Sequence, residues 1–300
     1  MSRRHLLFLL VLSALWGASF MFIKVGVREL SPSTLIFLRL GIGALVLAPI
    51  ALARLGRERL GRELRTAAVP LTIMGLVNSA IPIVAIAWAE ERLDSGLTAV
   101  IQASAPLFTA LLALRFAPSE RVTGSRLVGL LVGFGGVALL VGVQPSGNTL
   151  AALAVVFSAF CYACAALYSK KLAAVSPLTT AFGALTAATL VLVPFALVQL
   201  PAHFPSWEVV GAVLALGVGG TGVAYVLYYA LLSGAGASYA ILVTYLVPAI
   251  ALLYGAGFLG EPVTAAAVAG LALVLGGVAL GTGALRLRTV RRLVTREAES

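Results

Sequence analysis

Charged side chains are scarce in this chain: Asp, Glu, Lys and Arg make up 11% of 300 residues, while 61% are hydrophobic. A soluble domain needs about 25% charged residues to cover its apolar interior, so a water-soluble globule is excluded. Histidine occurs only as His5 and His203, in terminal or loop positions, and no carboxylate lies near the middle of an apolar run. This argues against an intramembrane enzyme, which needs nucleophile, base or metal ligands clustered at depth. No catalytic residue, metal or cofactor is expected. The two cysteines, Cys161 and Cys164, have the spacing of a metal or redox pair. They lie within an apolar run with no second ligand pair nearby, so packing is the better reading. No Gly-rich phosphate loop ending in Lys and Ser or Thr occurs, which argues against ATP-driven pumping.

What the chain has instead is long apolar runs. Crossing about 30 Å of hydrocarbon takes roughly 20 helical residues, and runs of that order recur at 6–27, 33–53, 66–89, 95–114, 125–142, 149–168, 178–200, 209–232, 238–258 and 263–285. They lack the alternation of a membrane β-barrel. The reading is an all-α membrane protein with ten transmembrane helices. Arg3 and Arg4 before the first run resemble a signal peptide, but the run is longer than the apolar core of one and is read as a first span.

The net charge of +10 and pI near 10.2 point to nucleic acid only if the cations share a soluble face. They do not. Arg3 and Arg4, the arginines of 54–65, Arg115, Arg121, Arg126, Lys170, Lys171 and those of 286–296 fall in alternate loops. That is a topology signal placing both termini in the cytoplasm. The expected partners are the lipid bilayer and a small-molecule substrate, with no nucleic acid, and either a monomer or a homodimer is open. The excess of Arg over Lys and the richness in Ala, Gly and Leu suit the cytoplasmic (inner) membrane of a bacterium, with a multi-pass chain.

The sequence also repeats. Glu120, Val122, Thr123, Gly129, Gly135 and Gly136 recur 141 residues later as Glu261, Val263, Thr264, Gly270, Gly276 and Gly277, and Ser31–Pro32 matches Ser176–Pro177. Residues 1–144 and 149–285 then form two units of five spans, followed by a basic cytoplasmic tail, 286–300. An odd number of spans makes the second unit enter from the opposite face, giving two inverted five-helix repeats, an arrangement suited to alternating access.

On these features, together with Trp16, Gly17, Ser19 and Phe20 in the first span, Arg39 in the second, and Pro106 and Pro248 in equivalent places, the chain resembles the drug/metabolite transporter superfamily, EamA type. The resemblance covers nearly the whole chain. It implies an exporter of amino acids, drugs or metabolites, with one subgroup specific for aromatic amino acids.

Proline within a span frees the carbonyl four residues earlier. Pro82 follows Asn78, Pro106 follows Gln102 and Pro248 follows Thr244, so a polar side chain stands beside each freed carbonyl. The helices bearing Pro106 and Pro248 are expected to bend at matching depth around a cavity, although prolines also merely shape bundles. Tyr225, Tyr245 and Trp16 offer deep stacking surfaces with polar tips, and Ser19 shares the first helix with Trp16. Lys24 and Arg39, cations near the ends of their spans, either snorkel or face the pathway; the family resemblance favours a structural anchor for Arg39. The glycines of 129–136 and 270–277 are read as packing surfaces, within one chain or between two. Those of 217–222 are either packing or a flexible element.

Export of small organic solutes follows, most plausibly amino acids, by alternating access. The absence of a mid-span carboxylate implies a facilitator. A phosphorylated-metabolite or nucleotide-sugar exchanger is the alternative, although it asks for more cavity cations than two. A non-transporting structural subunit is a further one.

Overall fold

The computed structural model describes residues 3–116, 125–142, 148–236 and 242–281. Glu120, Val122, Thr123, Arg121 and Tyr239, the link at 144–147 and the tail 286–300 lie outside the described residues. Among those described, regular structure is helical throughout. The helices are α1 (Arg3–Gly26), α2 (Pro32–Leu55), α3 (Arg57–Thr66), α4 (Ala68–Gly75), α5 (Ile81–Glu90), α6 (Ser95–Gln102), α7 (Ala105–Phe116), α8 (Ser125–Gly142), α9 (Thr149–Tyr168), α10 (Pro177–Val198), α11 (Trp207–Leu214), α12 (Ala224–Ala235), α13 (Leu242–Leu259) and α14 (Ala265–Gly281). Eight helical stretches are long and apolar enough to cross a bilayer, and Leu127–Gly142 and Ala265–Leu280 are shorter apolar helices.

Local sequence sets the helix starts. Ser31 and Ser176 each accept a hydrogen bond from the backbone three residues on, at Thr34 and Thr179, with a proline in the first turn that has no amide to leave unpaired. Large apolar side chains face outward, with Leu45, Leu131 and Phe258 each more than 60% exposed. An all-round apolar surface of this kind is suited to lipid.

Inside, α2 packs on α10 and α8 on α14, while α1 packs on α12 and α13, and α9 on α5 and α7. Lipid offers helices no hydrophobic drive to associate, so close backbone approach must supply the contact. At the α8–α14 crossing a side chain on Gly277 would run into the backbone of Gly133. The glycine surfaces thus meet within one chain.

Three crossing stretches are irregular. A π-helical turn, Leu76–Ala80, joins α4 to α5; a break at Ala103–Ser104 separates α6 from α7; and a π-helical segment, Ala215–Val223, joins α11 to α12. Pro82 and Pro106 both sit in the first turn of the helix that follows an irregularity, where a missing donor costs nothing. Pro248 is different. Pro248 lies inside α13, which has no break there. The glycine-rich sequence of Ala215–Val223, not a proline, opens the eighth crossing stretch.

Candidate functional site

Both π-helical segments carry their polar residues into the same place. A π turn adds one residue to a helical turn, and such bulges recur at functional sites. Thr221, in Ala215–Val223, accepts a hydrogen bond from Arg39 Nε of α2 at 3.1 Å, and Asn78, in Leu76–Ala80, donates to the Tyr225 hydroxyl at 3.4 Å. Glycine makes this approach possible: a Cβ on Gly217 would lie 2.5 Å from Ile42, and one on Gly220 would lie 2.5 Å from Ser19 Oγ. The glycines of this run are therefore contact surfaces toward α1 and α2.

Arg39 is 8% exposed. It stands about 10 Å inside the helix end by the rise of an α-helix, and its head is held between α2 and the Ala215–Val223 segment by the bond to Thr221. Its charge is felt by Tyr162 of α9 and Tyr225 of α12, and by Glu90 at the end of α5. Among the described residues its Nη1 and Nη2 have no hydrogen-bond partner. A guanidinium anchored through Nε presents these two nitrogens as a planar fork matched to a carboxylate. Around it the Tyr225 and Tyr229 rings stack at 6.1 Å, and Tyr228 meets Tyr229 at 5.4 Å.

The sequence-derived candidates do not all converge. Arg39, Asn78 and Tyr225 come together, with Ser19 alongside at the Gly220 contact; the Ser19 hydroxyl bonds back to Leu15 O of its own helix. Trp16 packs against Tyr228 at 5.6 Å in a neighbouring apolar cluster with Leu12 and Leu231. Tyr245 belongs to a different cluster, with Trp88 and Leu252. Gln102 is half-buried, its Oε1 enclosed without a partner, and Thr244 is half-buried on α13. The Lys24 ammonium donates to the backbone carbonyls of Glu90 at 2.6 Å and Leu93 at 2.9 Å, in the turn that follows α5.

Sequence reasoning missed Glu90 and Glu261. Glu90 ends α5, and its side chain is fully buried. The signal was an apolar run, Ile81–Ala89, with no turn residue before the glutamate. Glu261 caps α6 from outside it, accepting from Ser95 N at 2.8 Å, Ser95 Oγ at 2.8 Å and Gly96 N at 3.1 Å. Beside it lies a cavity of about 420 Å3 bounded by Asp94, Leu140, Leu252 and Thr264. Burial lifts the Asp94 carboxyl above its ordinary range, and the Glu261 charge adds to the lift. This cavity is separate from the Arg39 cluster, sharing no residue with it.

A model of the EamA-like transporter family matches residues 3–142 and again residues 149–282. The chain belongs to the EamA-like transporter family. An "Uncharacterized transporter" of Archaeoglobus fulgidus is 29% identical over 88% of this chain and 93% of its own length. YoaV of Bacillus subtilis, also named as an uncharacterized transporter, is 25% identical over 92% of this chain and 96% of its own. A Salmonella typhimurium protein named "Probable amino-acid metabolite efflux pump" is 26% identical over 98% of this chain and 99% of its own. A solved crystal structure covering 95% of this chain shares the fold with a TM-score of 0.66 at 22% identity. The chain is accordingly a multi-pass membrane transporter and not an enzyme.

Proposed function

We propose that this EamA-family transporter exports small amphipathic solutes carrying a carboxylate, amino acids foremost, from the cytoplasm across a bacterial inner membrane. The observation that carries the reading is Arg39: an enclosed guanidinium tied through Nε to Thr221, with its terminal nitrogens unpaired and tyrosines around it. A solute with a carboxylate and an apolar or aromatic body matches that combination of fork and ring surfaces. The amino-acid metabolite named for the Salmonella relative is compatible with it.

Alternating access between two inverted halves, near 1–144 and 149–285, is part of the same proposal. Support comes from the helix pairing: if α9 answers to α1, the packing of α1 on α12 and α13 is mirrored by that of α9 on α5 and α7. A two-fold axis in the membrane plane generates this kind of reciprocity. The ground for a facilitator is the lack of a mid-span carboxylate; Glu90 stands at the end of α5 and not at mid-span, but its side chain is fully buried and bears on the question of coupling. A phosphorylated substrate remains the weaker reading, because Lys24 is committed to backbone carbonyls and Arg39 alone would face a dianion.

Proteoliposomes containing the purified chain and labelled L-phenylalanine test the reading, with competition by other amino acids, by their amides, which lack the carboxylate, and by a sugar phosphate. Flux inhibited by the acids and indifferent to the amides is expected. Equal inhibition by acid and amide would sink the role given to Arg39.

A further inference from the structure

The interior holds one carboxyl group that the Arg39 cluster does not use. Glu90 ends α5 with a side chain fully enclosed by protein, and neither of its carboxyl oxygens has a hydrogen-bond partner. Buried polar groups are nearly always paired, and an ionised carboxylate without donors is the costliest exception. Yet a donor stands beside it. The Lys24 ammonium reaches the same residue and binds its backbone carbonyl, together with that of Leu93, leaving the carboxyl alone. A cation that prefers two neutral carbonyls over an adjacent carboxyl is the arrangement expected when that carboxyl carries no charge.

From this juxtaposition we propose that Glu90 is a proton-binding site whose occupancy decides what Lys24 holds, and that the site couples transport to protons. With the proton on, Lys24 clamps α1 to the turn at residues 90–93, as here. With the proton off, the carboxylate draws the ammonium away from the carbonyls and the clamp opens. The chemical step is a single acid–base exchange: a proton from water joins a carboxylate oxygen of Glu90 as O–H, and later returns to water, with no other bond made or broken. A buried ionisable group in a spanning bundle is a functional site by default, and carboxyl groups serve as proton relays in pumps and transporters.

The charged groups around the site are few. Lys24 on α1, Arg39 on α2 and Glu261 beyond α13 act on Glu90 electrostatically. Asp94, in the following turn, senses Lys24 and Glu261. Glu91 and Arg92 pair with each other at 2.7 Å and are exposed. α6 carries no titratable side chain, and those of α9 begin at Cys161, in its second half. The cavity beside Asp94 and Glu261 is lined by Arg92, Leu93 and Asp94, the residues that follow Glu90 in the turn. Arg39 links the two sites: a substrate carboxylate on its fork removes a positive field from Glu90 and so favours the proton there, coupling solute and proton through one cation.

The coupling rests on the transporter reading, and a two-armed experiment separates the two. In the first arm, infrared spectra of the purified full-length protein in lipid are compared at pH 7 with those of Glu90→Gln and Glu90→Asp. A carboxylic-acid C=O band that vanishes in E90Q and shifts in E90D is expected; wild-type and E90Q spectra that coincide would overturn the proposal. Should E90Q fold poorly, E90D, which keeps the acid, decides the assignment by the shift alone. The second arm places L-phenylalanine on both sides of proteoliposome membranes and imposes a pH difference. Strict one-to-one coupling of solute to proton sustains about a tenfold concentration ratio per pH unit, since both gradients scale identically. Wild type should reach it and E90Q should stay near unity. Wild-type flux that ignores the pH difference refutes coupling. A complete lack of L-phenylalanine flux counts against the substrate reading, while the infrared band still decides the proton site.

Discussion

Glu63 Oε2 accepts a hydrogen bond from the Thr179 hydroxyl at 2.6 Å and another from the Ser176 amide at 3.1 Å, so a carboxylate on α3 caps the start of α10 across 116 residues of sequence. Arg59 approaches its other oxygen at 2.8 Å. Burial works against ionisation here, but the bonds from Thr179, Arg59 and Ser176 outweigh it and hold the carboxyl down to about 2. Because the folded-state value lies below the ordinary 4.5, the carboxylate stabilises the fold above about pH 4.5, and the contribution is lost as pH falls toward 2. Glu63→Ala should cost about 2 kcal/mol at pH 7, the scale of charge-assisted hydrogen bonds. Melting in lipid nanodiscs checks this, and the gap between wild type and variant should close as the pH is lowered through 4.

Gly277 and Gly276 are neighbours with opposite expectations. A Cβ on Gly277 meets the backbone of Gly133, whereas one on Gly276 meets nothing within 4 Å. Overpacking a close helix contact costs about 1–3 kcal/mol, so Gly277→Ala should lower the melting temperature and Gly276→Ala should leave it within error. Equal effects from both would place the α8–α14 contact elsewhere.

Much of this was legible in the sequence, for reasons that differ by residue. Composition and run length marked the crossing helices, and Ser31–Pro32 and Ser176–Pro177, noted as a repeat, turn out to cap two helix starts in the same way. The π-helical segments were not legible. Nothing in Leu76–Ala80 distinguishes a widened turn from an α-helical one, since the choice is made by what packs against it, here α10 and α9. Pro248 shows the limit of the proline pattern: proline constrains its own helix, whereas whether a break follows depends on neighbours, and α13 has none there. Tyr225 and Arg39 were found as isolated candidates; their meeting through Thr221 and Asn78 needed the fold. Glu90 was passed over because position along a span does not tell burial, and enclosure by α1 and α9 is a tertiary fact.

Arg39→Lys should keep the charge and lose the fork. Lysine offers a point charge without the planar pair of donors, and loss of a charge-assisted bond is worth about 1.5–3 kcal/mol. L-phenylalanine flux should fall by about 10- to 100-fold, with melting changed little if the interior still accommodates the ammonium. A variant transporting at the wild-type rate would return Arg39 to a purely structural role.

Thr221→Val tests whether Arg39 acts through its anchor. Valine matches threonine in shape but cannot accept the 3.1 Å bond from Nε, so the guanidinium stays buried while its orientation is no longer fixed. Alone, the change should weaken solute binding by about tenfold, the scale of one buried hydrogen bond. Combined with Arg39→Lys it should add little further, because a lysine has no Nε to orient; residues joined by one bond couple in a double-mutant cycle, whereas independent ones add. Full additivity in KM across the four proteins would mean that Thr221 and Arg39 serve the substrate separately, and the fork geometry would lose its support.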